Sequence, residues 1–374
     1  MNSFDPLASA HDAFWSLFAR GPFGLAAQFF IAPETTIANS ATQTQQRPIA
    51  DEMTEHHSDR SCALLRTGAS SPERSVSDTG VPQWLSSHFE HANAAHRFKL
   101  YIPGGYRGQP LPMIVMLHGA QQDPDDFAAG TGMNAAAEEQ GCFVVYPAQS
   151  EGANLLRCWN WFRPADQMRG SGETAMVAAL TREVMARYNV DETRVYVAGM
   201  SAGGAMAVNL VVTHPDLYAA AAIHSGVAFG VADEPLSALC AMNDGSGKVR
   251  LPERVSDDVQ PRAVPLIVFH GDADEIVHPG NSEQIVAMNL LLSGEREDLR
   301  PLALTHVEDA ANRHSYTRYL FQDDEGVPIV EQWLVHGLGH AWSGGHLDGT
   351  HTDERGPLAT REIVRFFGQF ALAM

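Results

Sequence analysis

Ser201 stands in Gly199-Met200-Ser201-Ala202-Gly203, between the β-branched and aromatic run Arg194-Val195-Tyr196-Val197-Ala198 and a stretch of small residues with good helix propensity. This order predicts strand, sharp turn and helix, and the five residues match G-x-S-x-G, in which a strained turn holds a serine up as a nucleophile. The glycines are a steric requirement, because the two arms of such a turn pass too close for side chains. The hydroxyl would sit at the carboxyl edge of a sheet, with the Ala202 N–H at the helix N-terminus placed to bind an oxyanion. A glycine-softened turn with an incidental serine is the plain alternative. A phosphate loop is set aside, because no Gly-Lys-Ser/Thr follows.

A serine hydroxyl alone is a poor nucleophile, so a base and an acid must come from other strand ends. One apolar run, Leu266 to Phe269, is followed by His270-Gly271-Asp272-Ala273-Asp274-Glu275-Ile276-Val277, and another, Ile329 to Val335, by His336-Gly337-Leu338-Gly339-His340-Ala341-Trp342. The chain order is then Ser, Asp, His. Ser201 is read as nucleophile, His340 as general base and then acid, and Asp274 as the carboxylate that orients the imidazole. Asp272 is the rival; Asp274 is preferred because Ile276-Val277 would anchor its loop on the sheet, whereas Asp272 is still beside the Gly271 turn. His336 and His340 are four apart, but Gly337 and Gly339 disfavour a helix there and no Glu completes H-E-x-x-H, so no metal is expected.

A second oxyanion donor is expected from His118-Gly119-Ala120-Gln121, after the strand Met113 to Leu117, through the Ala120 N–H. Trp159 and Trp161, in Arg157-Cys158-Trp159-Asn160-Trp161-Phe162, and Trp342 are read as aromatics at the same edge that would suit an apolar ester substrate. Core packing is their alternative.

The elements that must position these residues are short apolar runs, the mark of strands buried on both faces. They are Met113 to Leu117, Cys142 to Tyr146, Val195 to Ala198, Ala219 to Ile223 and Leu266 to Phe269, preceded by an alternating strand at Phe98 to Ile102. Helical patterns fall between them at 131–140, 172–188 and 202–213, which argues for an α/β fold with a mostly parallel, doubly wound sheet covered on both faces. Further on, Ser282 to Leu292 reads as a helix, Tyr316 to Phe321 and Ile329 to Val335 as strands around Asp323-Asp324-Glu325-Gly326, and Thr360 to Ala371 as a closing helix. The polar, Gly- and Pro-rich stretch 230–262 reads as an excursion over the active-site edge.

The domain reading is an N-terminal segment, 1–82, and a packed domain, 83–374. Residues 8–31 carry amphipathic helical patterns with Trp15, Phe18, Phe23, Phe29 and Phe30. A flap docked on the main domain is the favoured reading there, and attachment to a lipid or polymer granule surface the sharper one. Residues 33–82 read as linker or disorder, and His56-His57 as a solvated pair.

Over 374 residues the net charge is −20, which opposes binding to nucleic acid or anionic membranes. Four cysteines, Cys62, Cys142, Cys158 and Cys240, are widely spaced and leave the redox compartment open. No apolar run is long enough to span a membrane. The first residues do not read as a secretory signal, which favours the cytoplasm.

Taken together, Leu117-His118-Gly119, Gln122-Asp123-Pro124-Asp125-Asp126-Phe127, Arg157 to Phe162, Ala198 to Gly204, Phe269 to Asp274 and Gly339-His340-Ala341-Trp342-Ser343-Gly344-Gly345 resemble the polyhydroxybutyrate (PHB) depolymerase-type esterases over most of residues 97–370. The resemblance implies an α/β-hydrolase fold and hydrolysis of short-chain hydroxyalkanoate esters through an acyl-serine, without a cofactor, and it implies the same three catalytic positions. The family often has a cysteine where this chain has Ala120, so Cys158 is expected to be free. Secreted members usually add a linker and a substrate-binding module, which is not expected here. Feruloyl or acetyl-xylan esterase activity is the nearest alternative. A serine peptidase is less favoured, and a catalytically silent granule-surface protein is the alternative of another class.

Overall fold

The computed structural model describes residues 80–373 apart from 155, 295–300, 302, 308–311 and 324–325. The readings for residues 8–31, for His56-His57 and for nearly all of the 33–82 linker lie outside the described residues.

Buried strands alternate with helices because each strand carries apolar side chains on both faces. In β3 (Leu111–Leu117), Met113, Val115 and Leu117 enter one core while Ile114 and Met116 enter the other. In β5 (Val190–Met200), Val195 and Val197 face the first core and Tyr196, Ala198 and Met200 the second. A strand that is apolar on both sides must be covered on both sides, and a parallel sheet with crossover helices supplies the cover.

With β1 (Gln83–His91), β2 (Ala94–Ile102), β4 (Phe143–Pro147), β6 (Ala220–His224), β7 (Leu266–Gly271), β8 (Ala303–Val307), β9 (Tyr316–Gln322) and β10 (Pro328–Val335), the sheet order is β1-β2-β4-β3-β5-β6-β7-β10-β9-β8. The six strands from β4 to β10 in that order run parallel. An antiparallel pair flanks them on each side. Two short strands, β11 (Trp342–Ser343) and β12 (Thr352–Asp353), pair separately.

Helices α1 (Pro124–Thr131), α2 (Met133–Gln140) and α7 (Ala359–Phe367) cover one face; α3 (Gly172–Arg187), α4 (Ala202–Thr213) and α6 (Gly280–Ser293) cover the other. Every residue of α4 is buried, as befits the helix behind the Ser201 turn.

Several sequence expectations are corrected. The helix read at 131–140 is the second of two, broken where Gly132 takes φ 63°, and Asp123 caps α1 through its side chain. The closing helix ends at Phe367, short of Ala371. β1 and β8 were absent from the sequence reading; β1 mixes Leu85 and Phe89 with Ser and His, which dilutes its period.

The stretch 230–262 is a crossover, because the parallel strands β6 and β7 force the chain to travel the length of the sheet between them. It contains α5 (Pro235–Asp244), capped by Glu234 and Ser237 and held on α6 by Asn281 Nδ2–H to Ala241 O at 2.9 Å. Its far end is tied by Arg262 to Pro215 O, beyond the C-terminus of α4.

Candidate active site

The turn from β5 into α4 holds Ser201 at φ 56°, ψ −122°, a conformation that L-residues rarely adopt. A Cβ on Gly199 would lie 2.3 Å from Gly203 O, and one on Gly203 would lie 2.0 Å from Leu117 O. Both contacts are with backbone, so neither can relax cheaply. The Ser201 N–H donates to His224 O at 2.8 Å, which fixes the turn on the neighbouring strand β6.

Asp274 and His340 follow the ends of β7 and β10, which pair in parallel with Val335 opposite Gly271. Their loops run in contact: Asp272 N–H donates to Val335 O at 3.1 Å, Ala273 N–H to Leu338 O at 3.1 Å, and a Cβ on Gly271 would sit 2.0 Å from Leu338 O. Across this contact His340 Nδ1–H reaches Asp274 Oδ2 at 2.8 Å. The other oxygen, Oδ1, accepts the Ile276 and Val277 amides, each at 2.9 Å. Asp272 instead holds His336 Nδ1 at 2.8 Å and the Gly337 amide at 2.7 Å. The two aspartates therefore serve two different histidines.

Burial acts to raise the Asp274 carboxyl, but the imidazoles of His270, 3.4 Å from Oδ2, and His340 outweigh it and hold the group well below the usual carboxylate range. An ionised, buried carboxylate on Nδ1 leaves His340 Nε2 as the nitrogen free to exchange a proton.

His224, which the sequence analysis passed over, joins the serine turn to the histidine loop. Its carbonyl takes the Ser201 amide, and its Nε2 accepts the Ser343 amide at 3.0 Å. The ring stacks between Phe269 and Trp342, with centroids 5.8 and 5.1 Å away. Accepting at Nε2 requires a neutral ring protonated at Nδ1. Burial, then the neighbouring His270 and His340, push its pKa down to about 3 and keep it so. The rule that found Asp274, inspection of each buried strand's end, would have found it.

The His118-Gly119-Ala120 turn runs beside the serine, since a Cβ on Gly119 would be 3.6 Å from Ser201 Cβ. Gly119 N–H is occupied by Gln122 Oε1 at 3.0 Å. Among the described residues no partner takes up the Ala120 N–H, and the Ala202 N–H, first in α4, has no intrahelical acceptor. His118 is buried and donates from Nδ1 to Gly119 O at 2.8 Å, while burial pushes its pKa down to about 4.

The three tryptophans are not an open aromatic edge. Trp159, Trp161 and Trp342 are 0%, 5% and 1% exposed. Trp159 Nε1–H donates to His118 O at 3.0 Å, and Trp342 Nε1–H to Thr360 Oγ1 at 3.1 Å. Trp161 packs edge-on to Phe162. Large apolar area and an N–H that needs an acceptor draw indoles inward, and here they carry the loops rather than face solvent.

Cys142, Cys158 and Cys240 are free thiols. Among the described residues no cluster of three or more His, Cys, Asp or Glu is arranged to hold a metal ion, and no helix is long and apolar enough to cross a membrane.

A serine on a strained strand-to-helix turn, with an Asp–His pair on later strand ends of a mostly parallel sheet, defines an α/β-hydrolase. Acetyl xylan esterase from Aspergillus awamori shares the fold, with TM-score 0.61 at 19% identity over 77% of this chain and 98% of that one. The family profile described as Esterase PHB depolymerase matches residues 96–299, and the chain belongs to that family. It is 30% identical to poly(3-hydroxyalkanoate) depolymerase C of Paucimonas lemoignei over 248 residues, 64% of this chain and 57% of the relative. It is 30% identical to feruloyl esterase B of Neurospora crassa over 198 residues, 49% of this chain and 65% of that one. The chain thus spans less than two thirds of the length of either relative.

Proposed function

We propose that the protein is a serine ester hydrolase of the PHB depolymerase type, cleaving polyhydroxyalkanoate, its oligomers or related short-chain esters through an acyl-serine. The observation that carries this reading is the 2.8 Å Asp274–His340 bond, in a loop that His224 ties through the Ser343 amide to the strained turn presenting Ser201. Ser201 Oγ attacks the ester carbonyl as His340 Nε2 takes its proton. Asp274 stabilises the resulting imidazolium, and the Ala120 and Ala202 amides receive the oxyanion. His340 returns the proton to the departing alcohol. Water then repeats the sequence on the acyl-serine, releasing the acid.

The similarity to a poly(3-hydroxyalkanoate) depolymerase over 64% of the chain favours hydroxyalkanoate esters. The feruloyl esterase similarity, over 49%, is the observation behind the second reading, a carbohydrate esterase. Attachment of residues 8–31 to a granule surface is a further part of the proposal and rests on their apolar pattern.

The test is hydrolysis of p-nitrophenyl butyrate, soluble 3-hydroxybutyrate oligomers and a feruloylated sugar by wild type and Ser201→Ala, with intact mass after a fluorophosphonate probe. Wild type is expected to turn over the first two and to be labelled once, and Ser201→Ala to lose at least about 10⁴-fold in kcat and all labelling. Preference for the feruloylated sugar moves the reading to a carbohydrate esterase. An inert, unlabelled wild type leaves a silent binding protein.

A further inference from the structure

The turn that carries Ala120 has no covalent tie: Ala120 offers no sulfur, and Cys158 nearby is a free, buried thiol. Besides the Gln122 side chain on the Gly119 amide, it is held by a hydrogen-bond network that begins at Glu173, in the first turn of α3. Its Oε1 accepts Gln149 Nε2–H and Asn160 Nδ2–H, both at 2.6 Å, and its Oε2 accepts the Asn160 amide at 2.7 Å. One carboxylate thereby fixes two separate segments, that after β4 and that from Arg157 to Phe162.

Both segments end on the turn. The Gln149 amide donates to His118 Nε2 at 3.1 Å and Trp159 Nε1–H to His118 O at 3.0 Å. The Gln121 amide donates to Leu156 O at 2.6 Å, and Arg157 Nη2–H returns to Gln121 O at 2.8 Å. Gln121 and Arg157 both hold positive φ, 67° and 47°, so the network fixes strained backbone on either side of the contact. Below Glu173 its own amide donates to buried Asp166 at 2.5 Å. Burial, then the charge of Asp166, push Glu173 up to about 7, so an acid is retained here against its solvation cost. A glutamine could not replace it without cost, since three donors converge and an amide turns an NH₂ toward at least one of them.

We propose that Glu173 is a positioning residue for the oxyanion site: by fixing Gln149 and Asn160 it sets the direction of the Ala120 N–H, and so acts on the tetrahedral intermediate rather than on ester binding. The proposal rests on the serine-esterase reading above.

Glu173→Gln and the milder Glu173→Asp are compared with wild type on p-nitrophenyl butyrate, for inhibition by a trifluoromethyl ketone that forms a tetrahedral adduct, and for thermal midpoint. A small misplacement of an oxyanion donor predicts kcat lower by about 10- to 100-fold for Glu173→Gln, KM within about twofold, and ketone affinity lower by the same factor as kcat. Glu173→Asp is expected to fall between. A folded Glu173→Gln with kcat and ketone affinity within about twofold of wild type, whatever its thermal midpoint, overturns the proposal and leaves the esterase reading standing; if that variant does not fold, Glu173→Asp at wild-type kcat and affinity does the same. A wild type that is itself inert and unlabelled by a fluorophosphonate overturns both.

Discussion

Asp272 and Asp274 are two residues apart, and each carries a histidine from the loop after β10, yet their surroundings differ. Asp274 is 5% exposed and takes two backbone amides besides His340, whereas the Asp272–His336 pair is half-exposed. Asp274→Asn is expected to reduce kcat by about 10⁴-fold, because the amide no longer holds the imidazole in its productive tautomer. Asp272→Asn is expected to stay within about threefold, as surface pairs contribute little. Equal losses in steady-state kinetics would remove the distinction. The same carboxylate bears on acid stability. Its folded pKa is depressed, so its contribution is fully present above the unfolded value of about 3.9, begins to decline below it, and is lost only as pH falls through the folded value. Denaturant titrations should show Asp274→Asn less stable than wild type by on the order of 2 kcal/mol at pH 7, with the gap beginning to narrow only below about pH 4.

At the scale of elements, the strand–turn–helix unit of β5 and α4 exists only because its crossing points lack side chains. Gly203→Ala would drive a methyl into Leu117 O, and the carbonyl belongs to the adjacent strand. The expected cost is roughly 3 kcal/mol or more, or failure to fold, by chemical denaturation. Gly105→Ala, with nothing within 4 Å of the added carbon, is the neutral control. The neighbouring turn after β3 is tested by removing a donor rather than adding bulk. Ala120→Pro deletes the N–H and should lower kcat by about 10²- to 10³-fold with a circular dichroism spectrum like that of wild type. An unchanged kcat would place the second oxyanion donor elsewhere.

At the scale of the whole molecule, a net charge of −20 sets the long-range field. Hydroxyalkanoate oligomers, the proposed substrates, end in a carboxylate and would be repelled by that field, whereas p-nitrophenyl butyrate is neutral. Raising ionic strength from about 10 to 200 mM shortens the screening length from roughly 30 Å to under 10 Å. It should raise kcat/KM for the oligomers about two- to threefold and leave the neutral ester unchanged. A chain starting at residue 78 keeps β1 and its hairpin with β2, whose side chains Leu85 and Phe89 pack on the main core. That chain is expected to keep its kcat on soluble ester within about twofold, and to lose co-sedimentation with polymer granules if the N-terminal segment is the attachment site. A collapse in thermal stability on truncation would place part of the core before residue 78.

Local signals carried the parts of this protein that are set by local physics. Apolar runs such as Met113 to Leu117 identify doubly buried strands because no other environment suits them, and Gly199 and Gly203 identify the turn because no other residue fits it. Strand ends could then be searched for Asp and His. What sequence spacing does not encode is which side chains meet across strands far apart in the chain. The parallel pairing of β7 with β10 gave His340 to Asp274 and His336 to Asp272. The same packing turned Trp159, Trp161 and Trp342 inward, because an indole on a loop is buried or exposed according to what the rest of the fold lays against it. It also placed His224 and Glu173 under the site, two polar residues whose partners lie 119 and 24 or fewer positions away and are assembled only when the sheet closes.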